Sequence, residues 1–390
     1  MMHRIACVTL VAACSHPPAA APAPPKPPEA AATPPETAPP QAKGAEPPAA
    51  DAATEKAPPA PPVPPAPPPK TLAAIDVFGA KHVSNEELIA TAGFAVGSPV
   101  EFGSEAFGEQ VEAATQRLKE RYRFAFVEVS PISYFGSSPE AGKVFITIDV
   151  VEAGDADRLK FAPEPSKDIP DPDGLVAAWL DYETAVWALQ RSGALKPPYT
   201  CKGGMHCALG FNHPDLEHRE DVFIEKVPGH VAELTAVLRS DRSHERRAAA
   251  AFLLAYAKDR KQVITAVLPS IDDPSAMVRN NVMRVLVMIQ QRADTVLVPL
   301  KPVLRAMRFP TTTDRNKAAY LLAGIARHAP PADRTRIARE LGDVLVVMAA
   351  MKQPNNRDPA IDVLKAISGE DHGTDAAAWR AWLDRRRARK

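Results

Sequence analysis

The sequence predicts a multidomain α+β chain, with a small β-α-α-β-β unit followed by an all-α stack of helix pairs. Three observations carry this expectation: strand-period alternation confined to 71–153, helix-period apolar residues across 229–390, and a Pro/Ala segment at 15–70 ahead of both. The 390 residues leave room for two or three domains once that segment is set aside. Charge is balanced, 47 basic residues against 47 acidic, so no global field recruits nucleic acid. The sequence points to no cofactor.

In the first folded unit, Leu72 to Gly79 reads as a strand with Ile75 and Val77 on one face and Gly79 as its terminator. Ser84 and Glu87 form a capping box ahead of Leu88 and Ile89, and Gly93 ends that helix. Ser104 precedes a second helix, in which Phe107, Val111, Ala114, Leu118 and Tyr122 recur at three- and four-residue spacing. Phe126 to Tyr134 then alternates, as do Val144, Ile146, Ile148 and Val150, and the turn residues between them predict a hairpin. No nucleophile, base and oxyanion-donor set falls in this region.

These elements resemble the POTRA module of envelope proteins. The likeness rests on Ile75-x-Val77-x-Gly79, Val83-Ser84-x-x-Glu87-Leu88-Ile89, Gly97, Leu118-x-x-x-Tyr122 and Val150-Val151-Glu152. The chain departs from the module at Arg123-Phe124-Ala125-Phe126, where POTRA modules commonly carry a glycine-aromatic pair. Another small α+β sandwich of the same element order is the alternative. The resemblance implies a sheet that binds partner chains along an exposed edge, here Phe126 to Tyr134 or Ile75 to Phe78.

Residues 154–228 read as a connector. It opens with a polar, proline-studded stretch at 154–173 and continues as a helix with Trp179, Tyr182, Val186 and Leu189 on a packing face. Next comes Cys201-Lys202-Gly203-Gly204-Met205-His206-Cys207, with His213 and His218 beyond it. Cys201 and Cys207 enclose a short glycine-containing loop that can close as a disulfide. Cys201, His206, Cys207, His213 and His218 could instead hold zinc, although their spacing fits no standard finger, or the thiols could stay free. A zinc site here would need a general base, for which Asp215, Glu217 and Glu220 are the nearby carboxylates.

From Gly229 the pattern is helical with an imperfect repeat. Paired apolar runs begin with Val231–Leu238 and 245–254, and continue through Val263–Ile271 with Val282–Ile289 and Val296–Met307 with 315–326. Ile337–Met351 with 358–367 gives a weaker fourth pair. The run Asp273-Pro274-x-x-x-Val278-Arg279-x-x-Val282 resembles a HEAT repeat, and Arg247, Arg279, Arg315 and Arg357 follow at intervals of 32, 36 and 42 residues. Independently of that likeness, Asp-Pro ends one helix and opens the next. A single globular bundle is the alternative to a stack. The resemblance implies a solenoid whose usual work is holding a partner. The helix at 376–383, with Trp379 and Trp382, is expected to cap its open end, and the basic run from Arg385 to Lys390 reads as a solvated terminus.

At the N-terminus, Met1-Met2-His3-Arg4 is basic, Ile5 to Ala13 is apolar, and Val11-Ala12-Ala13-Cys14 resembles the lipobox of a bacterial lipoprotein. That resemblance implies a signal peptide at 1–14, acylation of Cys14 and a membrane anchor. Ser15 after the cysteine implies sorting to the outer membrane, and the expected localisation is an outer-membrane lipoprotein facing the periplasm. Residues 15–70 hold 22 of the 42 prolines and no large apolar side chains, so a disordered spacer is expected there. Together these readings describe a lipid-anchored, extracytoplasmic, non-enzymatic adaptor for envelope or outer-membrane proteins. The alternatives are a zinc-dependent hydrolase at the Cys/His loop and a module that binds peptidoglycan or another envelope polymer.

Overall fold

The computed structural model describes residues 69–134 and 138–388. The lipobox with Cys14, nearly all of the 15–70 spacer, Gly136 and Ser137 of the hairpin turn, and the last two residues of the basic tail lie outside them. The first unit contains β1 (Lys70–Phe78), α1 (Asn85–Ala92), β2 (Pro99–Val100), α2 (Glu105–Arg121), β3 (Phe126–Ser133) and β4 (Lys143–Val151). The sheet order is β2-β1-β4-β3, with β1 parallel to β4 and the β3–β4 hairpin antiparallel. The short β2, which no sequence pattern announced, pairs with β1 at Lys70 and Thr71.

Local chemistry sets both helix starts. The Ser84 side chain accepts from the Glu87 N–H and Ser104 accepts from the Phe107 N–H, so each satisfies an end donor that the helix cannot. Gly93, in the left-handed region at φ 75°, closes α1. Leu88, Ala92, Phe107, Ala114 and Leu118 then pack on Val127, Val129, Val144, Ile146, Ile148 and Val150 of one sheet face.

The other sheet face is buried as well. On β4 the alternate residues Phe145, Thr147, Asp149 and Val151 are all 4% exposed or less. What covers them is the helical part of the chain: α3 (Leu175–Arg191), α4 (Pro214–Lys226), α5 (Val231–Ser240), α6 (His244–Leu253), α7 (Arg260–Val267), α8 (Ala276–Gln291), α9 (Leu300–Ala306), α10 (Thr312–His328), α11 (Pro331–Ala349), α12 (Pro354–Ser368) and α13 (Ala376–Ala388). From α5 to α12 these form four successive pairs, and the second helices α6, α8, α10 and α12 pack side by side.

One apolar core runs from Val176 of α3 to Leu383 of α13. The segment expected as a connector is therefore part of the helical body: α3 and α4 pack together, and α3 lies on α6. Trp179 sits among Tyr182, Phe223 and Phe252 with ring centroids 5.0–5.6 Å apart. At the other end α13 covers α11, where Gly342 leaves room for Leu383. A Cβ at 342 would stand 2.6 Å from a Leu383 methyl.

An arginine ladder ties successive helix pairs. Arg247 grips the Asp273 carboxylate with Nε and Nη2 at 2.9 and 3.0 Å, while its Nη1 donates to the Asp241 and Arg242 carbonyls of its own turn. Arg279 repeats the pattern on Asp314 and on the Asp273 and Pro274 carbonyls. Fork-to-fork pairing of this kind suits arginine because its donors are planar and fixed. Arg357, which shares the sequence spacing, instead pairs near the surface with its neighbour Asp358.

The stretch between Lys160 and Asp171 lies across the turns of these pairs. Ala162 N–H donates to the Asp272 carbonyl, and Lys167 exchanges backbone bonds with Ser240 and Arg242. Phe161 stacks under the Arg279 guanidinium, 4.0 Å from the ring centroid, and against Phe309. Glu164 adds a carboxylate to Arg247.

Candidate functional site

The sheet meets the helical body through two carboxylates and two helix N-termini. Asp149 on β4 accepts from the Thr312 N–H at the start of α10 at 2.7 Å and from the Arg315 side chain, and neither Asp149 nor Arg315 is exposed. Asp76 on β1 accepts from the Lys352 and Gln353 N–H groups that open α12, at 2.9–3.1 Å. Tyr134, beyond β3, accepts from the Asn355 N–H at 3.2 Å. Helix N-termini present unsatisfied donors and a positive dipole end, so anionic side chains belong there. Burial pushes the carboxyls of Asp76 and Asp149 up; the α12 N–H groups and Arg315, respectively, pull them back down. Burial also pushes the Tyr134 phenol up.

Arg315 completes the ladder with a residue from outside the helices. Its Nη1 reaches its own turn at Phe309 and Pro310, as in the earlier pairs, but its carboxylate partner is Asp149 of the sheet. The guanidinium also lies 3.7 Å above the centroid of Phe78 at the end of β1. Arg158 flanks the same ring, with its Nε donating to the Arg308 carbonyl at 2.7 Å. Thr147 and Asp149 alternate along β4 with the apolar stripe of Val144, Ile146, Ile148 and Val150. No sequence pattern announced what this polar face does: of the three ladder carboxylates only Asp273 stands in an Asp-Pro turn.

With both faces covered, the main-chain surfaces left to the sheet are its edges. Among the described residues β3 is bonded to β4 alone, and β1 has a strand partner on its outer side only at Lys70 and Thr71. Pro131 interrupts the donors of β3, as is usual for an edge strand, and leaves Phe126 to Ser130 uninterrupted ahead of it. Of the two segments expected as edges, β3 is an outer strand of the sheet, whereas β1 lies between β2 and β4 and lacks an outer strand neighbour only beyond Thr71.

The Cys/His loop is held by its own framework. Cys201 and Cys207 lie at disulfide-bonding distance, with Cα atoms 5.7 Å apart. The fully buried Glu220 of α4 accepts from the Lys202 and Gly203 N–H groups at 2.9 Å each, and Met205 N–H donates to the Ala255 carbonyl. The three histidines go to three places. His206 is buried against Phe252, and burial holds it well below the usual imidazole range. His213 caps α4 by accepting from the Asp215 N–H, and His218 stands exposed on α4. Among the described residues no three His, Cys, Asp or Glu side chains converge on a metal-sized position. Of the carboxylates considered as bases, Glu220 is committed to the loop backbone, and Asp215 and Glu217 are exposed. Among the described residues no helix is long and apolar enough to cross a membrane.

Comparison with protein-family models, with curated proteins and with solved structures returned no match.

Proposed function

We propose that this chain is a lipid-anchored, extracytoplasmic adaptor that holds envelope proteins, with Cys14 as the acylated residue and the β3 edge as the docking strand. The observation that carries the reading is the partition of the sheet. Its two faces are consumed within the chain, one by α1 and α2 and the other by the α10 and α12 ends, while the β3 edge keeps main-chain donors and acceptors with no strand partner among the described residues. An extended segment added there gains backbone hydrogen bonds, and the rigid mount spares the edge the entropy of being ordered on binding. The POTRA-like and HEAT-like resemblances of the two parts, both known for protein contacts, support the same reading, as does the lipobox.

The test places a photo-crosslinking amino acid at Phe126, where β3 begins, in cells of the native host, with mass analysis of Cys14 on the same purified protein. Adducts with envelope proteins through extended segments, on a chain carrying acyl groups at Cys14, are the expected result. An acylated chain that yields no protein adduct overturns the adaptor reading. An unacylated Cys14 overturns the anchor.

A further inference from the structure

A cleft of about 380 Å³ opens between the Cys201–Cys207 loop and the first two helix pairs. Met205, Tyr256, Met288 and Ile289 give its lining an apolar part. Its rim carries Lys258, Arg260 and Arg292, all exposed, and no Asp or Glu lines it. Asp259, between Lys258 and Arg260 in the chain, caps α7 by accepting from the Lys261 N–H and does not line the cleft, so the lining carries positive charge alone, which favours an anion.

The wall formed by the loop is fixed in place. Met205 N–H donates to the Ala255 carbonyl at 2.6 Å, and Arg292 donates to the Met205 carbonyl at 3.1 Å. Gly204, at φ +79°, lies flat on the Tyr256 ring, where a Cβ would stand 3.1 Å from the ring carbons. The disulfide and Glu220 hold the remainder of the loop. A preformed concavity with apolar lining residues and convergent polar groups at its mouth is the ordinary form of a small-ligand site, and this volume lies in the usual range of several hundred Å³.

We propose that this cleft binds a carboxylate borne on a large apolar group, with the apolar body against Tyr256 and the two methionines and the anion on Arg260, Arg292 and Lys258. Arginine matches a carboxylate with two parallel N–H donors, and methionine adapts to either an aromatic or a branched aliphatic body. Such a ligand exists in two forms, a free carboxylic acid and the last residue of a polypeptide.

The experiment titrates the full chain with N-acetylphenylalanine, with its neutral amide, and with acetyl-Gly-Gly-Phe, by ligand-observed NMR. The expected result is saturable binding of both acids, no binding of the amide, and at least tenfold weaker binding to a Lys258→Gln/Arg260→Gln variant whose thermal unfolding matches the unaltered chain. Tighter binding of the tripeptide assigns the site to polypeptide ends, and tighter or equal binding of N-acetylphenylalanine assigns it to free acids; both support the site. Absence of saturable binding by either acid overturns the proposal, as does equal binding of acid and amide or an unchanged affinity in the double variant. The adaptor reading is independent, because the variant leaves β3 and Cys14 untouched.

Discussion

Asp149 of β4 and Arg315 of α10 are bonded to each other with neither side chain exposed, and they stand 166 residues apart in the chain. The pair makes the sheet a structural member of the helical stack. Arg247 and Arg279 draw their carboxylates from the next helix pair, and Arg315 draws its own from the sheet. A docking face that looks polar in sequence is thus the continuation of an internal ladder. It fixes the sheet against the ends of α10 and α12 and leaves its edges as the main-chain surface available to another chain.

Removing Asp149 strands a buried guanidinium. Asp149→Ala is expected to destabilise the protein by about 3–5 kcal/mol, since breaking one partner of a buried pair leaves the other charge uncompensated. The double variant Asp149→Leu/Arg315→Met, which removes both charges, is expected to cost less than either single change. Urea unfolding of the four proteins checks this, and a double variant as damaged as the sum of the singles would show that the pair is not coupled.

Asp76 acts through backbone donors. Its carboxylate takes the Lys352 and Gln353 N–H groups from 276 and 277 residues away, so it serves as a helix cap delivered by the sheet. Asp76→Ala is expected to cost about 1–2 kcal/mol, the range of lost caps. The loss is expected to be local: amide exchange at 352–356 accelerates while α1 and α2 keep their protection. Asn, which retains an acceptor, recovers most of the loss.

Legibility in the sequence followed interaction range. Ser84, Gly93 and Ser104 were readable because each cap bonds within three or four residues. The helix pairs and the β3–β4 hairpin were readable because periodicity reports which face is buried. Periodicity does not report which partner buries it, and so what covers the Thr147 and Asp149 face of β4 went unread, while Phe161 and Glu164, which cross the stack, read as connector. The arginine spacing was legible, but Arg357 belonged to the series in sequence only. At that turn it is Asp76 that takes the α12 backbone donors. The two-residue β2 is too short to carry a pattern. Of the cysteine and histidine cluster, the Cys201–Cys207 proximity was legible, whereas the roles of Glu220 as loop anchor and His213 as helix cap depend on where α4 packs.

The Cys201–Cys207 bridge encloses few residues, so its worth is small. Replacing both cysteines by serine is expected to cost about 2 kcal/mol by the loop-entropy relation. Glu220→Gln keeps one acceptor for the two loop N–H groups but not both, and is expected to loosen the same loop. Thermal unfolding with and without reductant measures the first effect. Amide exchange at Lys202 and Gly203 measures the second. A reductant-insensitive midpoint would mean that the bridge contributes nothing.

Glu128 gives the docked face a pH dependence with a definite sign. It lies opposite Asp149 in the β3–β4 register, and burial first, then Asp149, pushes its carboxyl up to about 7, with Ser130 and Arg315 pulling the other way and Asp314 adding to the push. The unfolded carboxyl ionises near 4.5. Between these values the unfolded chain holds fewer protons than the folded one, so this group's contribution to stability is full below about 4.5, falls as pH rises through about 7, and is flat above. His206 runs in the opposite direction. Burial holds its folded pKa well below 6.5, so acidification below that value favours the unfolded chain. The two slopes overlap in the native protein, and a difference measurement separates them. Stability of the native chain minus that of Glu128→Gln, from urea unfolding at half-unit steps between pH 4 and 8, is expected to decline across the window and level off beyond it. A flat difference would mean that the Glu128 carboxyl is solvated and that the docked face does not sense pH through it.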